Sequence, residues 1–488
     1  MANCPAWGHW PVPGSTQVSM AQAHLRIVQR LGPFAQAMLP EQQQEQRLKR
    51  PRYRPFRVGD PLVLGPCAKR YEDRSSLLGY TESRIAAAKH FGHEFMMNMR
   101  SHDQFDTPLA TRAAGLERLQ AFLPKAGANY AHWRNHDFGP GRHDHVSGLS
   151  PYIRHRLITE EEVIRAVLTH HSAQAAEKFI QEVYWRTYWK GWLELRPAIW
   201  DDYLADLERL GPPDGDALDA MKGQTGIACF DHWAQELVTT GYLHNHARMW
   251  FASIWIFTLG LPWQQGADFF LQHLLDGDPA SNTLSWRWVA GLQTPGKTYL
   301  ATPENIAAFT GGRFTPKPLP HGPAPALEPI PAPRLLPPAF NAPEAPFLLL
   351  VTEEDLQTES LPLKPGHVAA IAGLAPRTAN ISPRVATFRS AALADGMARA
   401  ATHFGHVGAV MEANALVDQA KGLGLNHIVT AYAPIGPTAT QLGTLAQACA
   451  AQGVELHLIR RAWDSAAWPL ATKGFFPFRQ HIPNLLPR

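Results

Sequence analysis

The stretch DGDPASNTLSWRW, residues 276–288, sets Asp276, Asp278, Asn282, Trp286 and Trp288 within thirteen positions. A segment that only fills a core seldom places acids and indoles so close together, because a buried charge without a partner is costly. Two other stretches show the same mixture. In EKFIQEVYWRTYWKGWLELRPAIW (177–200), Phe179, Glu182, Trp185, Arg186 and Trp189 recur at three- and four-residue steps. On a helix they share one side. A glutamate and an arginine among indoles suit the lining of a cleft better than a dry core. In TTGYLHNHARMWFASIWIFTLGLPW (239–263), His244, Asn245, Arg248 and Met249 fall on neighbouring helical positions, and the segment closes on Trp263. Arg248 is a natural ion-pair partner for an acid elsewhere, with Asp276 the obvious one. HVSGLSPYI (145–153) sets Ser147 and Ser150 beside a glycine and ahead of a proline, a turn whose free N–H groups suit a phosphate.

The whole chain bounds what these stretches can do. Its 488 residues exceed one compact core and predict two or three domains. Hydrophobic residues at 45% and charged residues at 18% describe a globular protein able to bury a large core. A net charge of +3 means that a polyanion must be met by a local patch. Cys4, Cys67, Cys229 and Cys449 form no CxxC pair, which argues against a disulfide framework or a closely spaced metal site. No metal site is expected, an iron–sulfur cluster assembled from distant positions being the open alternative that would need all four cysteines, and the cysteine usage fits a reducing cytoplasm. MANCPAWGHWPVPG at the N-terminus has no basic region followed by an apolar run, so no signal peptide is read there. No run reaches the roughly 18 apolar residues of a membrane span.

The texture changes along the chain. Residues 1–105 mix polar and basic stretches with short helical patterns, and 106–314 read as strongly helical. Residues 315–346 hold 12 prolines, a density that favours an extended linker or a strap along a surface. In 347–488, FLLLV (347–351), HVAAIAG (367–373), HIVTAY (427–432) and VELHLI (454–459) read as buried strands between alanine-rich helices. The fold class is α+β multidomain: a helical domain plus a smaller, Rossmann-like α/β domain with a parallel sheet.

GLSPYI, EVYWRTY, GYLHNHARM and DGDPASNTLSWRW stand in the order, and nearly at the spacing, of the flavin-binding domain of DNA photolyases and cryptochromes. The chain resembles that family over roughly residues 106–305. The resemblance implies an all-helical domain holding FAD in a U-shaped conformation. It implies Asn282 facing the flavin N5, Asp276 pairing with Arg248 over the isoalloxazine, and Asp278 beside the flavin and its ribityl chain. It assigns Ser147, Leu149 and Ser150 to the phosphate turn, Tyr130 to the adjoining wall, and Arg186 to the cofactor site. Trp286 matches the flavin-proximal member of an electron-transfer chain and Trp263 the middle one. Glu182, Trp185, Asn245 and Met249 match the positions that receive a cyclobutane pyrimidine dimer. An indole there stacks on flipped-out bases, and a carboxyl or amide bonds the pyrimidine edges. The (6-4) repair enzymes carry two adjacent histidines where this chain has His244-Asn245.

The resemblance therefore implies a cytoplasmic, monomeric, blue-light-driven deoxyribodipyrimidine lyase acting on damaged DNA. The alternatives are a cryptochrome-like photoreceptor and a divergent flavoprotein without repair activity. The departures are specific. The α/β segment follows the helical domain, where the family places its light-harvesting domain first, so the order looks permuted and a second, antenna chromophore is an open expectation. Val146 and Gly148 replace a threonine and an arginine used by many relatives. No tryptophan lies between Asp201 and His232 to end the electron chain, which leaves Trp250, Trp255 or Tyr242 as exits. For DNA, RLKRPRYRPFR (47–57) offers a basic run with interleaved aromatics, and Arg142, Arg154 and Arg156 are candidates for a positive rim.

Overall fold

The structure, a computed structural model, describes residues 107–377 and 380–487. They belong to one compact unit, residues 83–488. The region expected over 1–105, with the basic run 47–57, lies outside the described residues.

Helices come first: α1 (Arg112–Phe122), α2 (Ala128–Trp133), α3 (Ser150–Arg154), α4 (Glu160–His170), α5 (Glu177–Glu194), α6 (Ala198–Leu210), α7 (Gly215–Lys222), α8 (Ala228–Thr240), α9 (Asn245–Ser253), α10 (Trp263–His273), α11 (Pro279–Val289) and α12 (Pro303–Phe309). Local chemistry sets several starts. Thr159 and Glu162 form a reciprocal capping box at α4, each satisfying a backbone N–H that the helix leaves open. At α11 the Asp278 carboxylate accepts from Ser281 N–H at 2.7 Å, and Pro279 takes the first turn, where no N–H is needed. The DGDP of the opening stretch is thus a helix start as well as a charge cluster. α9 begins at His244, whose Nδ1 accepts from His246 N–H, and continues into a π-turn over Ile254–Thr258.

Residues 315–346 form neither helix nor strand and run along the helices as a strap. Gly322 N–H donates to the Phe257 carbonyl and Arg334 N–H to that of Leu195. Arg287 meets Glu328 at 3.1 Å.

The strap leads into a parallel sheet of β1 (Phe347–Val351), β2 (Val368–Leu374), β3 (Val410–Met411), β4 (His427–Ala431) and β5 (Glu455–Ile459), in spatial order β3-β2-β1-β4-β5. Helices α13 (Pro383–Phe404), α14 (Ala413–Gly422) and α15 (Pro437–Ala451) make the crossovers. FLLLV is buried throughout because both faces are covered. Leu348 and Leu350 join a core with Leu416, Leu442 and Leu445, while Phe347, Leu349 and Val351 join the core of the helical layer. Four strands lie where the apolar runs predict them. β3 carries no such run and is only two residues long.

Chain order reverses at β1, which pairs with β2 on one side and β4 on the other. Ligands of such sheets usually bind at the strand ends beside this point. Here Glu353, Glu354 and Asp355 leave β1 and meet the helical layer. Arg154 forks onto Glu354 at 2.6 and 2.8 Å, and Arg156 pairs with Glu160, Asp355 and Asp464. Arg154 and Arg156 are each only 2% exposed, which corrects their assignment to a DNA-facing rim. Sequence shows the charge but not the acids that bury it.

The chain closes with α16 (Ala462–Ala467), α17 (Phe475–Arg479) and α18 (Ile482–Leu485), packed on α5. Tyr184 and Tyr188 donate to the carbonyls of Leu485 and Lys473, and Trp468 crosses α5 at Gly191.

Candidate functional site: a cavity between α2, α3, α5, α9 and α11

A cavity of about 580 Å³ is lined by thirteen of the residues singled out in the sequence: Tyr130, Ser147, Ser150, Glu182, Trp185, Arg186, Asn245, Arg248, Met249, Asp276, Asp278, Asn282 and Trp286. Leu149 is fully buried beneath the turn, and its N–H donates to Ser147 Oγ. Trp263 is buried outside the lining.

One wall is built of paired charges. Arg248 meets Asp276 fork to fork, at 3.1 and 3.2 Å, and Ser150 also bonds that carboxylate. Burial alone would raise the Asp276 pKa, but Arg248 and Arg186 overcome it and hold the group ionised below its usual range. Asp278 is more extreme. Lys190, Arg186 and Arg154 stand 3.6, 3.7 and 3.8 Å away, so burial is again outweighed and the carboxyl is held far below its ordinary value. Asn282 donates Nδ2–H to the Ala267 carbonyl at 2.8 Å, which leaves Oδ1 as the other end of the amide.

The opposite wall is softer. Glu182 pairs with Arg134, yet enclosure still raises its pKa. Trp185 carries Phe475 of α17 flat on its ring, with centroids 3.6 Å apart. His244 is kept neutral, its pKa drawn well down by burial and then by His143, His145 and His246.

Sequence reasoning missed Arg134, Lys190 and Arg118. Lys190 follows Arg186 by one helical turn and could have been found on that face. Arg118 could not. Gly148 has φ +59°, and a side chain there would strike the Arg118 guanidinium, which donates to Ser147 O at 2.8 Å. The guanidinium of Arg118, from α1, thus occupies the space beside Gly148.

Behind the cavity, Trp286 packs edge-on against Phe270 at 5.1 Å and Trp255 at 6.3 Å. Trp263 stacks on Tyr203 at 5.6 Å, and Tyr203 lies 5.2 Å from Trp200.

Among the described residues, Arg186 Nη1, Lys190 Nζ, Ser281 Oγ and Trp286 Nε1 are buried without a hydrogen-bond partner. Arg186, Ser281 and Trp286 line the cavity. Unpaired donors around a concave, half-apolar space fit a large ligand rich in acceptors. These features define a helical cofactor-binding domain. Residues 179–309 match the family described as the FAD binding domain of DNA photolyase. Over these residues the chain is similar to the flavin-binding domain of DNA photolyases, and FAD is the cofactor its cavity fits.

A deoxyribodipyrimidine photo-lyase of Streptomyces griseus is 34% identical over 183 residues, covering 37% of this chain and 39% of that protein. One of a Synechococcus strain is 32% identical, over 36% and 38%. A solved class III photolyase of Agrobacterium tumefaciens is 26% identical, covers 41% and 43%, and superposes with a TM-score of 0.36. The chain thus spans about two fifths of the length of these relatives. No described helix is long and apolar enough to cross a membrane.

Proposed function

We propose that the protein is a FAD-dependent, blue-light-driven lyase that splits cyclobutane pyrimidine dimers in DNA. The observation that carries this reading is one cavity joining the Arg248, Asp276, Asp278 and Asn282 wall to Glu182, Trp185, Asn245 and Met249. FAD, when bound and reduced, supplies the light-excited electron for ring splitting. The chain supplies the rest. Arg186, Ser147 and Ser150 would hold the acceptor-rich portion of the cofactor, and the Arg248–Asp276 pair would face its ring system. Asn282 presents an amide to the ring, steadied by its bond to Ala267. Trp185 stacks on the flipped bases while Asn245 and Glu182 bond their edges. Glu182, paired with Arg134 and with its pKa raised by burial, stands where a carbonyl gains negative charge. Trp286 and Trp263, with Tyr203 and Trp200 beyond them, would offer oxidisable rings leading from the surface to the cofactor.

Strand contact falls to Arg118 at the phosphate turn and to an open groove lined by Lys125, Trp133, Phe138 and Arg142. Cations among aromatics suit an unpaired or distorted strand. An antenna chromophore would find the usual crevice beside β1 and β4 already filled by Glu353, Glu354 and Asp355 with their arginines.

A photoreceptor reading is favoured by one feature: Phe475 covers a face of Trp185, the indole meant for the lesion. Reduced protein is mixed with a dimer-bearing oligonucleotide under blue light, and pyrimidine absorbance is followed. It should recover, and Glu182→Ala should slow recovery by about 10–100-fold, the loss of one charge-assisted hydrogen bond, with a smaller effect on DNA affinity. Light-driven cofactor reduction with no recovery would select the photoreceptor.

A further inference from the structure

A second cluster of ligating side chains lies on the sheet. His427 opens β4 and stands in register with Glu455 of β5, and His457 follows two residues on. Side chains alternate along a strand, so all three project from one sheet face. Their reactive atoms converge. His427 Nδ1 and His457 Nε2 lie 3.1 Å apart. Glu455 Oε2 is 3.6 Å from the first nitrogen and 3.4 Å from the second.

We propose that His427, Glu455 and His457 bind one zinc-type divalent cation, with water in the fourth position. The argument is geometric. The three separations average about 3.4 Å, and a tetrahedron's edge is about 1.63 times its centre-to-corner distance, so the centre lies about 2.1 Å from each atom, within zinc's range for imidazole and carboxylate. Two neutral imidazoles facing each other need only a shared proton. A carboxylate oxygen set against the same two nitrogens brings a third lone pair to that point, and a cation there can accept all three at once, where one shared proton cannot. Two imidazoles and a carboxylate are a ligand set for zinc, and three protein ligands leave an open position. Glu455 is 71% exposed, so water reaches that position.

The site is separate from the cavity, whose lining includes none of these residues. It bridges β4 to β5, which among the described residues is an edge of the sheet. Cysteine spacing gives no sign of this metal site, since none of its ligands is a cysteine. The signal is Glu-x-His at the start of a strand whose parallel partner begins with histidine.

The test uses full-length, flavin-loaded protein stripped with a chelator and titrated with zinc chloride, then with cobalt chloride. One zinc per chain should bind, and cobalt should give the visible absorption of a tetrahedral site. Removing a single ligand in Glu455→Gln should weaken zinc by at least about tenfold. His427→Gln/His457→Gln should abolish binding while the flavin absorbance, the readout of folding, is kept. If that double variant loses its flavin, the exposed Glu455→Gln variant decides. Failure of the wild type to bind zinc, or undiminished binding in Glu455→Gln, would overturn the assignment. Zinc binding is read independently of any light-driven activity.

Discussion

Trp286 shows what a single residue can be asked to do. Its ring fills a slot so tight that any side chain at Gly266 would overlap it. Packing alone could account for it. Trp286→Phe separates packing from electron transfer, since phenylalanine keeps most of the apolar contact but is far harder to oxidise. Photoreduction of the oxidised cofactor should be abolished with FAD still bound, as measured by transient absorption. If packing is all it does, photoreduction survives and a thermal melt shows only a loss of about 1–3 kcal/mol. At this scale the cavity lining was well legible, because charged and aromatic residues at helical spacing can share a face only by lining something. Arg118 was not legible, since nothing in sequence ties position 118 to the empty place at 148.

Among elements, α5 is the most constrained. One side lines the cavity, and the C-terminal segment covers another. The crossing at Gly191 leaves no room: a Cβ there would lie 2.8 Å from the Trp468 backbone. Gly191→Ala gains helix propensity of about 1 kcal/mol in an open helix. Here that gain should be reversed, with a net loss of about 1–3 kcal/mol from overpacking. Chemical denaturation reads the sign directly. An alanine variant more stable than the wild type would show that the segment does not press on α5. The tryptophan-rich pattern of α5 pointed to a cleft, but its contact with α16, α17 and α18 was hidden. GFFPFR (474–479) is too short to show a period, and its partners lie almost 300 residues away. Arg154 and Arg156 were misplaced for a related reason: a cation reads the same in sequence whether it meets phosphate or a buried acid.

For the whole molecule, buried titratable groups set the response to acid. Burial draws His273 down to about 4, below the usual histidine value of 6.5. Below pH 6.5 the unfolded chain takes up a proton that the folded one refuses, so stability falls until about pH 4. His273→Gln should flatten that part of the curve. Asp355 is held down to about 2 because Arg461 and Arg156 outweigh its burial. Its contribution is fully present above about pH 4 and is lost as pH falls towards 2, a change of about 2 kcal/mol. Denaturation curves at pH 7, 5 and 3 on the wild type and His273→Gln check both windows. An unchanged slope between pH 6.5 and 4 in the variant would remove His273 from the account.

The fork of Arg154 has a consequence for covalent continuity. The same guanidinium touches Gly277 and Asp278 beside the cavity and Glu354 at the end of β1. Removing the sheet would strand a buried cation, and uncoupling such a pair costs about 3–5 kcal/mol. The strap adds contacts of its own, and the buried fork should hold the two layers without it. A protease site inserted between the exposed residues Phe340 and Asn341 and then cut should therefore yield two chains that co-elute, still yellow, on a sizing column. Separation of the fragments after cleavage would mean that the strap, and not the interface, holds them together. If they stay joined, the peptide bond there serves only assembly.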